Sequence, residues 1–484
     1  MRSFRDFSGK ARRTLERAVA TLPLLAASMV VAPLEEAVAQ GQTRVNSPNI
    51  YLVIMDDVGC DNVSYMGDPN SARTPNLDRL ASTGVIFTNA RTDPVCSPSR
   101  RCMMVGEHSF RTYGEYPNTI LTALNYAGSN GFSLSGSRIT IPEAISQVTS
   151  ANYVPILLGK EHLTDIGVNP IANNYGLTHF REMGFEHHVG HMTNIGTSFN
   201  DTYDLSIQNV DGNLVEVNQY ATTFIFNTAI VAKQAFANRP HLFWIAPNAA
   251  HEPFHVPPSN LHTYNISLQN PGTEAERMRA ATEALDNEIG RFATFLDPQQ
   301  DFLMVIGDNG THRPAVLPPN DPRRAKLTNY EGGIHVPFFV IGPGIAPGGV
   351  CDSLVWSGDI FRTILDLVSN KEIDSTQFGR DSVSLLPYFS NPNAPSQREY
   401  VITERSPGNG LNPFIGPYET AIIREGSLYK LIERSNFGVT SHELYNIRAD
   451  PRETSNLFIN PPLTSNDQAE YDWLRAKLSE VRRP

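Results

Sequence analysis

Five nearly continuous apolar runs constrain the fold of this chain more than any other feature of its sequence. They cover residues 49–55, 153–158, 241–247, 302–306 and 336–341. Such runs are typical of strands in a parallel sheet that is covered on both faces. Segments with helical spacing separate them, at residues 74–83, 219–237, 273–296 and 357–368. We therefore predict an α/β fold in which a large, mostly parallel sheet carries helices on both faces.

The sequence changes in character after about residue 370. Residues 389–399 are rich in Asn, Pro and Ser, as loops are. Shorter strand patterns then follow at 399–404, 419–424 and 428–433, with a last helix at 467–482. We predict a main domain over 40–370 and a smaller C-terminal α+β subdomain, containing an antiparallel sheet, over 371–484. A chain of 484 residues is long enough to bury both cores.

The N-terminal residues have the order of a secretory signal. Basic residues dominate positions 2–17, an apolar run covers 18–32, and Ala37-Val38-Ala39 follows. We predict that 1–39 is a signal peptide and that the mature protein is periplasmic or secreted, without a membrane anchor. The apolar run is short for a membrane-spanning helix, although an uncleaved anchor is the alternative. Arg12 and Arg13 leave both Sec and twin-arginine export open.

Net charge and cysteine content restrict the partners and the covalent links. The formal net charge of -11 argues against nucleic acid or an anionic membrane as a partner. A pocket for an anion must therefore concentrate cationic side chains locally. The four cysteines are Cys60, Cys96, Cys102 and Cys351. An exported protein could form one disulfide among Cys60, Cys102 and Cys351, and the sequence does not select the pair.

One cysteine lies in a setting suited to chemistry on anions. Cys96-Ser97-Pro98-Ser99-Arg100 connects a predicted strand to a predicted helix. Ser97 is expected to cap that helix, with Pro98 in its first turn. Cys96 would then face free backbone N–H groups at the positive end of the helix dipole, with Arg100 one turn further on the same face. A buried structural cysteine is the alternative.

Polar side chains follow four of the predicted strands where each strand ends. They are Asp56 and Asp57, Lys160 and His162, His251, and Asp308 and Asn309. Because the carboxyl ends of parallel strands meet at one edge of a sheet, we expect a single polar site there. The oxygen ligands Asp56, Asp57, Asp308 and Asn309 suit Ca²⁺ or Mg²⁺ better than zinc. On its own, Asp56-Asp57 or Asp308-Asn309 would be interpreted as part of a turn.

Seven further motifs extend the pattern around Cys96. They are NIYLVIMDDVG (49–59), TPNLDRLASTGVIFTNA (74–90), GKEH (159–162), HEPFHVP (251–257), GDNG (307–310), KLTNYEGGIHVP (326–337) and ELYNIRADPRETSNL (443–457). Together with Cys-x-Pro-Ser-Arg, they resemble, in order, the motifs of type I (formylglycine-dependent) sulfatases of the alkaline phosphatase superfamily. The resemblance extends from Asn49 to Leu457.

The resemblance implies a chemistry for the site. In that family a formylglycine-generating maturation enzyme oxidises the cysteine, here Cys96, to formylglycine (3-oxoalanine), and the hydrated aldehyde is the nucleophile. One Ca²⁺ would bind to Asp56, Asp57, Asp308, Asn309 and an oxygen of the modified residue 96. His162 would be the general base that regenerates the aldehyde, and Asp308 would accept the proton of the attacking hydroxyl. The resemblance also implies catalytic and substrate-binding roles for Arg100, Lys160, His251 and Lys326. Among these, His251 and Lys326 would bind the sulfate ester and assist the leaving alcohol or phenol.

The function implied is that of an exported sulfatase that hydrolyses carbohydrate or aryl sulfate monoesters. A phosphodiesterase or phosphonate monoester hydrolase of the same superfamily is one alternative, although those relatives tend to have Asp-His where this chain has Asp308-Asn309. A non-catalytic protein that binds sulfated ligands is the other. The natural ester, whether a small molecule or a glycan, the endo or exo mode of action and the oligomeric state stay open.

Two positions depart from the family pattern, and one histidine cluster is unassigned. Glu161 replaces the usual Trp of the GKEH motif, and His335 replaces an Arg. We expect the Glu161 carboxylate either to raise the pKa values of Lys160 and His162 or to reshape the pocket rim. The histidines of EHHVGH (186–191) are expected in a pocket wall or a surface loop.

Overall fold

The structure, a computed structural model, describes residues 47–113, 138–163, 175–196, 201–369, 373–374, 377–405, 418–436, 439–459 and 462–482. The predicted signal peptide lies outside these residues. Within them, no helix combines the length and the apolar character needed to cross a membrane.

The main sheet has ten strands. They are β1 (Asn49–Met55), β2 (Val85–Arg91), β3 (Val154–Gly159), β4 (His187–Gly190), β5 (Ser206–Val210), β6 (Asn213–Val217), β7 (His241–Ala246), β8 (Asp301–Gly307), β9 (Phe338–Ile341) and β10 (Gly349–Trp356). Their order in the sheet is β10-β2-β9-β8-β1-β7-β3-β4-β5-β6. The five predicted apolar runs are all strands of this sheet, which confirms the α/β fold.

The centre of the sheet is parallel and its flanks are mixed. Strands β8, β1, β7, β3 and β4 run parallel to one another. Strand β9 is antiparallel to both neighbours, and β5 and β6 form an antiparallel edge. Sequence patterns missed β4, β5, β6 and β10, because these strands are short or contain polar residues where a buried run would be apolar.

Helices cover both faces of the sheet, as predicted. They are α1 (Pro75–Ala81), α2 (Cys96–Val105), α3 (Phe110–Tyr113), α4 (Ile141–Val148), α5 (Tyr175–Glu182), α6 (Ala221–Ala235), α7 (Glu274–Ala293), α8 (Glu331–Ile334), α9 (Asp359–Val368), α10 (Leu386–Ser390) and α11 (Ser465–Val481). Strand β1 shows the two-sided burial directly, since Ile50 and Leu52 belong to one apolar cluster and Tyr51 and Val53 to another.

A second sheet follows near the C-terminus. Its four antiparallel strands are β11 (Tyr400–Arg405), β12 (Tyr418–Arg424), β13 (Tyr429–Asn436) and β14 (Val439–Asn446), of which β14 was not predicted. One face packs on α11 through Leu474 and Leu478. The other packs on the main domain through a cluster that includes Leu354 and Trp356. The second sheet is therefore buried between a helix and the larger domain.

Two expectations about individual residues change in the structure. All four cysteines have free thiols, so the disulfide that the sequence left open is not formed. Cys102 and Cys351 are fully buried in different apolar clusters. The surface-loop alternative for EHHVGH was wrong for His187 and His188. Both belong to β4, and His188 is fully buried.

Candidate active site

The carboxyl ends of β8, β1, β7 and β3 are neighbours at one edge of the main sheet. The polar residues that follow these strands are therefore brought together, as the strand pattern predicted. All of them are buried. This group consists of Asp56, Asp57, Lys160, His162, His251, Asp308 and Asn309, each at most 5% exposed. Cys96, Arg100 and Lys326 join it from the segments between the strands.

Helix α2 begins at Cys96 itself, with Val95 as its N-cap and no side-chain cap. The prediction that Ser97 caps the helix was wrong. Its hydroxyl instead donates a hydrogen bond to the carbonyl oxygen of His162 at 2.9 Å. Pro98 lies in the first turn as expected, where its missing N–H leaves no bond unmade. Ser97 therefore ties the start of the helix to the loop after β3.

The thiol of Cys96 faces a histidine. Its Sγ lies 3.3 Å from Nδ1 of His162. The backbone of His162 has φ of 54°, in the left-handed region that non-glycine residues rarely adopt. Its N–H donates to the carbonyl oxygen of Met192 at 3.0 Å. Burial raises the pKa of the Cys96 thiol, although Lys160 and Lys326 act in the opposite direction.

Arg100 and Lys160 neutralise two of the buried carboxylates. Lys160 Nζ donates to Asp56 Oδ2 at 2.7 Å. Arg100 binds Asp308 Oδ2 through Nε at 3.0 Å and Nη2 at 2.8 Å, and also donates to the carbonyl oxygen of Lys160 at 3.0 Å. Burial opposes the charge of Arg100, but Asp308 and Asp56 raise its pKa above the ordinary value.

Asp57 is the most heavily contacted carboxylate of the site. Lys326 Nζ lies 2.6 Å from its Oδ1 and 2.8 Å from its Oδ2. Asn309 Nδ2 donates to Oδ1 at 2.8 Å, and His251 Nε2 lies 3.7 Å from Oδ2. Burial opposes ionisation, but Lys326 and His251 hold the pKa of Asp57 well below its usual range. Its φ of 62° is again left-handed.

The pKa values of Asp308, His251 and His162 shift in different directions in the buried site. Burial and the neighbouring Asp56 raise the pKa of Asp308 to about 6, against the effect of Arg100. Burial lowers the pKa of His251 to about 3, with Asp57 acting against that change. Burial, with Lys160 and Arg100, lowers the pKa of His162 well below its usual value. Both histidines are therefore neutral at pH 7.

The residues present fit a hard divalent cation. Asp56 Oδ1 and Asn309 Oδ1 are buried and have no hydrogen-bond partner among the described residues. Ligand atoms of Asp56, Asp57 and His251 lie within 4.8 Å of one another. Carboxylate and amide oxygens are the ligands that Ca²⁺ and Mg²⁺ prefer. His251, expected as a catalytic and substrate-binding residue but not as a metal ligand, thus lies beside the candidate metal ligands.

The two residues that depart from the family pattern, Glu161 and His335, each contact partners of their own in the structure. The Glu161 carboxylate lies 2.5 Å from His179 Nδ1, and the pKa of His162 is lowered rather than raised. The expected rise was therefore wrong for His162, because Glu161 directs its charge to another partner. His335 Nε2 lies 2.8 Å from the carbonyl oxygen of Thr88 and its Nδ1 is 3.9 Å from Glu331.

Sequence reasoning missed how Tyr203 supports the site. Its hydroxyl lies 2.7 Å from the carbonyl oxygen of Asn248 and 2.8 Å from that of His251. Its ring stacks on His255, with centroids 3.6 Å apart. Tyr203 therefore braces the loop that carries His251. No local signal could have shown this, because the contacts join residues 45 and 48 positions apart.

Comparison with known proteins places these observations in a family. A family model described as Sulfatase matches residues 48–370. The N-acetylgalactosamine-6-sulfatase of Canis lupus familiaris is 27% identical over 66% of this chain and 62% of its own length. Human arylsulfatase A is 25% identical over 87% of this chain and 85% of its own length. This chain thus spans less than two thirds of the N-acetylgalactosamine-6-sulfatase that it matches.

A solved structure shares the fold. It was determined in complex with D-glucosamine-2-N,6-O-disulfate, described as its substrate, and superposes with a TM-score of 0.67 at 18% identity. The match covers 90% of this chain and 97% of the other. The mixed sheet, the order of the motifs and a family model that covers most of the sequence agree, and the chain belongs to the sulfatase family.

Proposed function

We propose that this chain is an exported sulfatase that hydrolyses sulfate monoesters with a formylglycine made from Cys96 and one bound Ca²⁺. The observation that carries the proposal is the contact of Cys96 Sγ with His162 Nδ1, 3.3 Å apart at the start of a buried helix. Lys160, Lys326 and Arg100 surround this contact with positive charge. An anionic ester and an activated nucleophile would meet there.

The state of Cys96 supports conversion to formylglycine rather than direct attack by sulfur. A thiolate is the reactive form of cysteine, and burial raises the pKa of this thiol. The unmodified side chain would therefore be a weak nucleophile at neutral pH. We infer that a formylglycine-generating maturation enzyme is a partner of this chain, and that the Sγ position marks where the hydroxyl groups of the hydrate would lie.

In the proposed reaction a hydroxyl on residue 96 attacks sulfur and gives its proton to Asp308. The bond between sulfur and the ester oxygen breaks, and the leaving alcohol takes a proton from Lys326, because the neutral His251 has no ready proton to give. The second hydroxyl then loses its proton to His162, the bond from carbon to the sulfate oxygen breaks, and the aldehyde forms again. The lowered pKa of His162 favours this role, because a neutral imidazole can accept a proton.

Cationic side chains would bind the sulfuryl oxygens. The proposed binding residues are the cations Arg100, Lys160 and Lys326, together with His251, and all four side chains are buried, where fixed charges act strongly. Asp56, Asp57, Asp308, Asn309 and an oxygen of modified residue 96 would hold the Ca²⁺. When bound, this ion would neutralise sulfate charge and orient the nucleophile.

We also propose a division of the chain into a signal peptide and two domains. Residues 1–39 would be the signal peptide, 40–370 the catalytic domain and 371–484 the C-terminal subdomain. The family match at 48–370 begins after the proposed cleavage site, which supports this division. The mature enzyme would act in the periplasm or outside the cell.

The proposed substrate is a sulfated carbohydrate. Support comes from the names of the relatives, which include an N-acetylgalactosamine-6-sulfatase, and from the sugar disulfate bound to the structure with the same fold. The test is release of sulfate by protein co-expressed with a maturation enzyme, with Cys96→Ala as the matched control. The panel consists of N-acetylgalactosamine 6-sulfate, D-glucosamine-2-N,6-O-disulfate, 4-nitrophenyl sulfate and bis(4-nitrophenyl) phosphate. We expect turnover of the sulfate esters, and faster turnover of the phosphodiester would reject the proposal.

A further inference from the structure

A buried pair of acidic and basic side chains lies directly behind two of the proposed catalytic residues. Glu161 stands between Lys160 and His162, and its side chain is fully buried. Its Oε1 lies 2.5 Å from Nδ1 of His179, which belongs to α5 and is also fully buried. Burial acts to lower the pKa of His179, but Glu161 raises it above the ordinary value. The contact with Glu161 therefore favours the protonated form of His179.

The pair is part of a set of contacts that hold the end of β3. Glu161 N–H donates to the carbonyl oxygen of His191 at 2.9 Å, next to the bond from His162 to Met192. His188 Nε2 lies 3.2 Å from the carbonyl oxygen of Gly159, and its Nδ1 is 3.9 Å from Glu161 Oε2. The turn over residues 159–162 is therefore contacted on its outer side by three segments. These are strand β4, the residues that follow it and helix α5.

This turn needs support because its backbone is unfavourable. Gly159 has φ of 94° and His162 has φ of 54°, so both ends of the turn are left-handed. A non-glycine residue such as His162 is strained in that region and persists there only where its surroundings fix it. Lys160 and His162 contact Asp56 and Cys96, whereas Glu161 contacts the opposite side. Anchoring Glu161 therefore fixes both of its neighbours.

Stability alone does not explain the pair. Glu161 Oε2 and His179 Nε2 are buried without a hydrogen bond to any described residue. Replacing a buried ion pair by apolar side chains of similar volume is often neutral or stabilising. A pair with two such polar atoms is therefore expected to lower the free energy of unfolding. A role in positioning catalytic residues would explain why the pair is present.

We infer that Glu161 and His179 form a positioning pair that sets Lys160 and His162 against the nucleophile. The inference rests on the proposed function, because the chemistry it serves is sulfate ester hydrolysis. His162 would be affected most, since its ring faces residue 96 and its backbone is strained. Loss of the pair would therefore slow the release of sulfate from residue 96 more than the initial attack.

The test compares three variants with the wild type. Glu161→Ala removes the contact with His179, and Glu161→Gln keeps a hydrogen-bond acceptor of the same size. The double variant Glu161→Met/His179→Leu replaces the pair by an apolar contact, and we expect this variant to fold. Lys233→Met is the matched control, because it breaks another largely buried ion pair, Lys233 with Asp301 at 2.7 Å, at the amino end of β8. The readouts are kcat, KM, the pre-steady-state burst with 4-nitrophenyl sulfate, and thermal unfolding.

We expect Glu161→Ala and the apolar double variant to lower kcat at least about tenfold, with KM within about twofold, since small misplacement of a catalytic group has effects of that size. A burst of nitrophenol should appear, because the ester is cleaved before release is blocked. Glu161→Gln should stay within about threefold of the wild-type kcat, as expected where position rather than charge is required. Lys233→Met should lose stability and keep its kcat.

The outcomes separate the inference from the proposed function. A well-folded apolar double variant with the kcat of the wild type would overturn the inference while leaving a working sulfatase. A loss of kcat in Lys233→Met equal to that in Glu161→Ala would overturn it as well, because the effect would then follow stability alone. If the wild type released no sulfate from any ester of the panel, the proposed function itself would fail, and the positioning role with it.

Discussion

Asp56 and Asp57 are adjacent in sequence but are held by different lysines. Lys160 binds Asp56 and Lys326 binds Asp57, so each carboxylate enters the site with its own cation. Asp57 also accepts a hydrogen bond from the side-chain amide of Asn309. Its backbone is left-handed, so the chain does not continue the extended conformation of β1 at this residue. Within the described part of the chain, Asp56 Oδ1 and Asn309 Oδ1 are buried without a hydrogen-bond partner, and a metal ion would satisfy both oxygens.

The first prediction at this scale concerns Asp57. Asp57→Asn should weaken calcium binding at least about tenfold, because the change removes a charged ligand and leaves the Lys326 ammonium without its partner. Calorimetric titration of metal-free protein with Ca²⁺ measures this directly. Asp61→Asn is the control, since the Asp61 carboxylate accepts a hydrogen bond from Thr311 and is outside the proposed ligand set. Equal affinity of Asp57→Asn and wild type would show that the ligand set is wrong.

At the scale of elements, α2 is held between the two cores of the molecule. Cys96 begins the helix at the polar site, and Cys102 is buried in the cluster that contacts the C-terminal sheet. Just beyond the helix, the ring of His108 lies 4.2 Å from that of Trp356 in β10. Burial lowers the pKa of His108 to about 4, with Asp381 opposing and Arg398 supporting that change.

This histidine gives a prediction about pH. Because the pKa of His108 is lower in the folded state than its ordinary value of 6.5, the unfolded chain binds the proton first as pH falls. Its contribution to stability is complete above about pH 6.5 and is lost as pH falls towards 4. The difference in unfolding free energy between pH 7 and pH 5 should therefore shrink by about 2 kcal/mol in His108→Phe, measured by denaturant unfolding. An unchanged difference would contradict a neutral, buried His108.

The elements also show what the sequence could and could not predict. The five central apolar runs are strands, because burial on both faces requires continuous apolar residues. The predicted helices end within three residues of the observed ones. Strand β9 is apolar like its neighbours, so its antiparallel direction could not be read from its composition. The edge strands β5 and β6 carry polar residues such as Gln208 and Glu216, which conceal their pattern.

The candidate site was more predictable than its surroundings. Strand ends meet at one edge in any parallel sheet, so Asp56, His251 and Asp308 could be placed together from position alone. The partners of Glu161 and Tyr203 could not, because His179 and His251 lie on other elements whose packing the sequence does not reveal. The error at Ser97 has a similar cause, since a tertiary contact with His162 replaced the expected local cap.

At the scale of the whole molecule, a buried charge network joins the two sheets. Lys430 of β13 lies 2.9 Å from Glu331 of α8 and 2.8 Å from Glu453, and Arg91 of β2 binds Glu331 at 2.6 Å. Lys430 is fully buried. The C-terminal sheet is thus linked by charge as well as by apolar packing to the segment that follows Lys326.

Removing the central cation of this network should destabilise the whole molecule. Lys430→Met is predicted to cost about 3–5 kcal/mol of unfolding free energy, because two buried carboxylates lose their shared partner. Denaturant unfolding of the full chain measures the effect. Lys477→Met, which breaks contacts with the exposed carboxylates of Glu399 and Glu480, should change stability by less than about 1 kcal/mol. Equal small effects of the two substitutions would refute a structural role for the network.

We propose that residue 96 acts as formylglycine, and the other roles at the site depend on this proposal. Its most direct test is the mass of the proteolytic peptide that contains residue 96, measured on a preparation whose rate of sulfate release is known. Conversion of the thiol side chain to an aldehyde lowers the mass by about 18 Da, so we expect this loss in proportion to the rate of sulfate release. A fully active preparation in which Cys96 keeps its unmodified thiol would contradict it.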